Sequence, residues 1–123
     1  MILKTLKLHV GEKNLITNCY IVADEESKEA MVIDPGAEVD KVIEMLDILG
    51  VNLKYIFLTH CHADHIGAVD QLQGVRGGKV LISRADSTGL YDESISLTYY
   101  TETHNPELEA DSRIDDGDLI HIG

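Results

Sequence analysis

"KYIFLTHCHADH", residues 54–65, decides the reading of this chain. Its first half is an apolar run with β-branched and aromatic members, the pattern of a strand covered on both faces. Behind that run stand His60, His62, Asp64 and His65. Three of the six histidines in the 123-residue chain therefore share one short window. In an extended segment alternate residues face the same way, so His60 and His62 point to one side and Cys61 to the other. Asp64 falls where a helix begins and His65 in its first turn, which aims both at the same cavity from a different angle. Imidazole nitrogens with a carboxylate suit zinc, and also iron or manganese. A strand-to-helix loop at the end of a buried strand is also where open α/β sheets hold their ligands. Asp64 is equally suited to cap the helix it starts.

Upstream, residues 2–10 alternate, with Leu6, Leu8 and Val10 on one face and Lys7 and His9 on the other. That is a half-buried strand. Residues 11–14 read as a turn, 18–24 as a second strand, 25–28 as a polar turn and 29–34 as a third strand, together an antiparallel meander. Asp34-Pro35-Gly36 stops the sheet, with Pro and Gly suited to the central positions of a type II turn. From Glu38 to Leu49 apolar residues recur at helical spacing, and Gly50 supplies the stop. Past the histidine cluster, Ile66, Val69 and Leu72 predict a short helix from near Asp64 to just before Gly74. Residues 79–83 form a further buried strand. Strand–helix–strand–helix–strand means crossover connections, hence an α/β protein with a sheet layered by helices. Beyond Arg84 the pattern weakens. Residues 94–100 suit a strand or an irregular segment, 101–111 are polar loop, and Asp116-Gly117 turns into a last strand at Leu119–Ile122.

Composition narrows the function classes. The length suits a single domain, and the net charge is −12. A surface that acidic excludes the clustered cations of a nucleic-acid-binding protein and disfavours docking on an anionic membrane. Lys4 and Lys7 interrupt the apolar N-terminus before a signal-peptide core could form. Two cysteines, Cys19 and Cys61, do not make a disulfide framework, so reduced thiols and a cytoplasmic location are the expectation.

The pattern T-H-x-H-x-D-H behind an apolar strand resembles the signature of the metallo-β-lactamase-fold hydrolases, most of all the glyoxalase II (hydroxyacylglutathione hydrolase) branch. "NCYIV" in an early strand and "VIDPG" closing the next agree with it, and the resemblance covers nearly the whole chain. It implies an α/β fold of the αββα type, a sandwich of two mixed sheets with helices on both outer faces, built from two similar halves. By the same resemblance His60 and His62 would bind one metal ion, and Asp64 and His65 a second. Asp64 would thus belong to the catalytic as well as the metal-binding set. Asp34 matches the family's aspartate at the strand end, which orders the metal-site loop. Zinc is the implied metal, two ions in a complete site, with iron or manganese as alternatives. The implied reaction is attack of a metal-bound hydroxide on a small-molecule acyl substrate, a thioester foremost.

One departure stands out. Four side chains do not fill two open metal sites. In the family a third histidine, a bridging aspartate and a last histidine come from the second half of the fold, the first of these after a strand resembling residues 115–123. Of this chain's other histidines, His9, His104 and His121, none stands in an equivalent turn. The expectation is that residues 1–123 are the N-terminal part of one such domain, weakly active or inactive alone. The sheet face left uncovered would pair with a second copy in a homo-oligomer or with a missing C-terminal half. Two other readings remain open: an iron-dependent redox enzyme of the same fold (a persulfide dioxygenase or a flavin-partnered diiron reductase), and a metal-binding or assembly module without turnover.

Overall fold

The computed structural model describes residues 1–10, 15–59, 63–84, 86–90 and 109–123. The turn expected at 11–14, the segment 94–100, His104, and the trio His60, Cys61 and His62 lie outside the described residues.

Alternation of apolar and polar residues builds the first three strands: β1 (Ile2–Val10), β2 (Leu15–Ala23) and β3 (Glu29–Ile33). They pair as an antiparallel meander, with Leu6 opposite Cys19 and Ile21 opposite Val32. Between β2 and β3 the chain turns on Asp24, whose backbone and side-chain oxygens accept the Lys28 and Ser27 N–H groups at 3.0 and 2.9 Å. Helix α1 (Val39–Leu49) then crosses to β4 (Asn52–Leu58), which runs parallel to β3. Gly50 closes α1 in the left-handed conformation, φ 66°, as a glycine after a helix can without strain. Two short helices, α2 (Ala63–Ile66) and α3 (Val69–Arg76), lead to β5 (Lys79–Ser83), again parallel. A single 3-10 turn, Ser87–Leu90, follows, and β6 (Ser112–Ile114) adds a last parallel strand beside β5. The sheet order is β1-β2-β3-β4-β5-β6, and β2 alone runs against the rest.

Because β3, β4 and β5 step across the sheet in one direction, right-handed crossovers put α1 and α3 on the same face. Val42 and Leu46 of α1 and Ile66, Val69 and Leu72 of α2 and α3 bury themselves there against Ile21, Val32, Ile56, Val80 and Ile82. All ten are at most 1% exposed. Arg76 and Asp47, 3.0 Å apart, tie the end of α3 to α1. Alternate residues of the same strands point the other way and are far less covered: Tyr20, Val22, Met31, Ile33, Tyr55 and Phe57 are half-buried. Leu3 and Ile16 on that side are 65% and 62% exposed. Among the described residues the second face meets only the C-terminal segment. There Leu119 and Ile120 stand over Tyr55, Lys79 and Leu81 across a cleft of about 390 Å³, and the Gly123 N–H reaches Glu29 Oε1 at 2.8 Å.

Four expectations need correction. Strand β4 is covered on one face rather than two: Ile56 and Leu58 are buried, while Tyr55 and Phe57 are half-exposed. The helix after the histidine cluster is broken at Gly67–Ala68 and runs past Gly74 to Arg76, ending where Gly77 takes a φ of 70°. A glycine in an exposed helical turn costs only about 1 kcal/mol, too little to stop a helix whose other face is packed. Residues 119–122 are irregular, and the last strand is instead Ser112–Ile114, whose polar sequence gave no period to read. Finally, Asp34-Pro35-Gly36 does not close as a hydrogen-bonded turn. The left-handed residue is Asp34 itself, φ 57°.

Glu38 fastens the start of α1 to the end of β1. It too is left-handed, φ 49°, and its side chain does not cap α1. One carboxylate oxygen accepts the His9 backbone N–H and lies 3.1 Å from His9 Nδ1, and the other lies 2.8 Å from Lys41 Nζ. The Lys41 ammonium and then the His9 N–H hold this carboxyl below its ordinary value. A depressed folded-state pKa adds stability that is present in full above the unfolded value of 4.5 and is lost as pH falls through the folded one. Glu38→Gln should therefore reduce stability at pH 7 and flatten the acid limb below about 4.5, read by denaturant unfolding across pH. An unchanged acid limb would remove Glu38 from the account. In the core, Leu46→Ala should cost about 2–5 kcal/mol, measured as a fall in the urea midpoint at unchanged slope.

Candidate metal centre

The C-terminal ends of β1, β3, β4, β5 and β6 share one edge of the sheet, since only β2 runs the other way. That edge carries Asp34 after β3 and Thr59 after β4. The Asp34 N–H still bonds the Phe57 carbonyl at 3.0 Å, so its backbone is pinned to β4 at the point where φ changes sign. Left-handed backbone is strained for a side-chain-bearing residue, though Asp tolerates it better than most. Here the turn drives the carboxylate inward, where its side chain is 4% exposed.

A buried carboxylate needs donors to replace water. Oδ1 accepts the Thr59 backbone N–H at 2.8 Å. Oδ2 accepts the Thr59 hydroxyl at 2.6 Å and sits 2.9 Å from His65 Nδ1. A carboxylate oxygen accepts, so the proton in this contact sits on His65 Nδ1. This is the arrangement in which metal-binding histidines are held, ring oriented and tautomer fixed by a carboxylate behind it. The His65 side chain is 20% exposed, partly open to solvent while its carboxylate partner is not. Behind them the Ala68 N–H bonds the Pro35 carbonyl at 3.0 Å, which locks the α2–α3 break onto the same loop. Cys19, fully buried on β2, lies near this carboxylate. Burial first, and then the Asp34 charge, push its thiol up to about 12, so it is a neutral packing group.

Of the expected residues the fold brings Asp34 and His65 into contact. Asp64 stands in α2, one residue inside the helix rather than at the cap position before it, and its side chain, like His60 and His62, lies outside the described residues. Among the described residues no group of three or more His, Cys, Asp or Glu side chains comes together. His9 is at the same edge but is engaged with Glu38, and His121 is exposed in the C-terminal segment. Thr59 is an addition: nothing in the periodicity marks it, and its one signal is its place directly before the cluster. The donor set at hand, an imidazole backed by a carboxylate, fits a borderline metal such as zinc or iron. Among the described residues no helix is long and apolar enough to cross a membrane.

A stretch of 68 residues is 40% identical to a probable polyketide biosynthesis zinc-dependent hydrolase, BaeB, of Bacillus velezensis, and covers 55% of this chain and 30% of that protein. Over 56 residues the chain is 46% identical to the hydroxyacylglutathione hydrolase GloC of Haemophilus influenzae, covering 46% of this chain and 26% of GloC. Human persulfide dioxygenase ETHE1 is 33% identical over 109 residues, 87% of this chain and 35% of that one. Among solved structures, the B3 metallo-beta-lactamase BLEG-1 superposes with a TM-score of 0.83 at 26% identity, over 99% of this chain and 57% of BLEG-1. TTHA1623 in a di-iron-bound form gives 0.74 at 25% identity, over 94% and 56%. The chain thus spans less than two thirds of each of these proteins. The family model of the metallo-beta-lactamase superfamily matches residues 13–120, and the chain belongs to that superfamily.

Proposed function

We propose that this chain is the N-terminal, metal-binding part of a metal-dependent hydrolase that cleaves a thioester or related acyl bond of a small molecule. The observation that carries the reading is the Asp34–His65 contact with Thr59 behind it, a ligand-orienting network at the strand edge where the histidine cluster begins. In this reading His60 and His62 hold one ion, and Asp64 and His65 the second. The similarity to a hydroxyacylglutathione hydrolase and to a zinc-dependent hydrolase supports the substrate class and zinc. A bound metal would supply Lewis acidity toward the acyl oxygen and a nucleophile at neutral pH. The chain's own part is positional. Asp34 fixes the His65 ring and its tautomer, the Thr59 hydroxyl and N–H fix Asp34, and the Pro35–Ala68 bond keeps the helix from drifting off the loop. A thiolate leaves easily, so such a reaction asks little of a general acid. The cytoplasm as its location belongs to this same reading.

A second reading, an iron enzyme acting on a persulfide, is favoured by the similarity to persulfide dioxygenase and to a di-iron-bound structure. Metal content and oxygen consumption of the purified protein separate the two. Iron with a visible absorption band and oxygen uptake would replace the hydrolase reading. Zinc with metal-dependent thiol release from hydroxyacyl thioesters supports it, and tight zinc binding with no thiol release at saturating metal would leave a binding module.

Asp34→Asn keeps an oxygen for the Thr59 N–H but turns an amide toward the two groups that now donate to Oδ2. Zinc affinity should fall about 10–100-fold by calorimetry, and ¹⁵N shifts of His65 should report a mixture of tautomers. Unchanged affinity and tautomer would deny Asp34 its positioning role. His62→Ala should weaken binding of the first ion in the same titration, and an unchanged isotherm would count against the assignment.

A further inference from the structure

Two residues of the loop between β3 and α1 are left-handed although both carry side chains: Asp34 at its start and Glu38 at its end. A residue just before a helix ordinarily has extended backbone and caps the first turn with its side chain. Glu38 does neither. Its carboxylate is engaged instead with the end of β1, through the His9 N–H and ring, and with Lys41 Nζ at 2.8 Å. Only Pro35, Gly36 and Ala37 separate the two left-handed residues, and four peptide steps span at most roughly 14 Å. Pro35 and Gly36 are buried, and the Pro35 carbonyl accepts the Ala68 N–H at 3.0 Å. Pro35 is also fixed in φ, so this short tether absorbs little of a rotation at Glu38 before it reaches Asp34.

We infer that Glu38 is a second positioning residue of this centre: its bonds to His9 and Lys41 keep its backbone left-handed, and that backbone holds Asp34 on Thr59 and His65. Left-handed backbone persists at such a residue only where its surroundings impose it. Without the carboxylate's partners Glu38 reverts to the ordinary negative φ of a helix start, and the tether draws Asp34 off its donors. The two conformations of Glu38 are the two-state element that such a coupling requires. The end of β1 thereby belongs to the support of the centre, from the opposite side to β4 and α2. This role rests on the reading of His65 as a metal ligand, whereas the grip on Asp34 is measurable without metal.

Hydrogen exchange of the metal-free chain tests the grip. The Thr59 N–H bonds Asp34, while Ile56 lies inside the sheet, paired with Val32 and Val80. In Glu38→Ala, which loses the carboxylate and keeps a β-carbon, Thr59 exchange should rise about 3–10-fold more than that of Ile56. Glu38→Gly loses the same carboxylate but is at ease with a positive φ, so Thr59 should stay near wild type relative to Ile56. Calorimetry with zinc should follow the same order. Affinity falls on the order of 3–10-fold in Glu38→Ala, less than the ~10–100-fold of a direct partner, and is largely kept in Glu38→Gly. Equal acceleration at Thr59 and Ile56 in Glu38→Ala is what a merely stabilising tie between β1 and α1 gives, and it overturns the inference. So does a Glu38→Gly chain as perturbed as Glu38→Ala, or an unchanged zinc affinity in Glu38→Ala where Asp34→Asn binds weakly. Should Glu38→Ala not fold, Lys41→Met removes one donor at an exposed position. A smaller rise at Thr59 than in the full loss then supports the inference, and no rise relative to Ile56 overturns it. A wild-type chain that binds no zinc sinks the metal reading alone, and the exchange at Thr59 then decides.

Discussion

The Asp34 carboxylate is buried, left-handed in its backbone and bonded by three donors from a neighbouring strand end and helix. No one of these conditions is stable without the others. The backbone strain is tolerable because the carboxylate is fully hydrogen-bonded, and the hydrogen bonds exist because the strained backbone points the carboxylate inward. The end of β3, the end of β4 and the start of α2 therefore close on one point, and the histidine cluster grows out of that point.

Much of this was legible in the sequence, for a physical reason. Strand β1 and helix α1 each carry a period that burial on one face imposes, so Leu8 and Val42 could be placed before any coordinates, whereas the continuous apolar run of β4 shows no period and reads as covered on both faces. The proposed ligands at residues 60–65 are read from residue type and spacing rather than from a period. The rest turns on interactions between distant segments. Pro35-Gly36 looks like a turn because local propensity favours one, yet the long-range bonds of Asp34 to Phe57 and Thr59 override it. Strand β6 has the composition of a loop, and pairing with β5 makes it a strand. Thr59 is marked only as the first letter of T-H-x-H-x-D-H, because a hydroxyl that braces a carboxylate leaves no trace in periodicity.

Charge is distributed as unevenly as hydrophobicity. Among the described residues, helices and loops hold every carboxylate except that of Glu29 in β3. The helical face is thereby well hydrated, while the second face is largely apolar. Both crossovers fall on one side because β3, β4 and β5 step in a single direction, so the asymmetry of the sheet follows from its order.

The isolated antiparallel role of β2 also has a kinetic side. Pairings β1–β2 and β2–β3 join neighbours through short connections, whereas β3–β4 and β4–β5 each wait on a helical crossover, and the β5–β6 pairing spans a still longer stretch of chain. Loop-closure entropy makes the meander the early structure and the parallel half the late one. Asp34 stands at the seam between them. Its three donors all come from the late side, so the bonds that orient His65 cannot form until β4 has docked, and completion of the sheet and preparation of the site are one event in time.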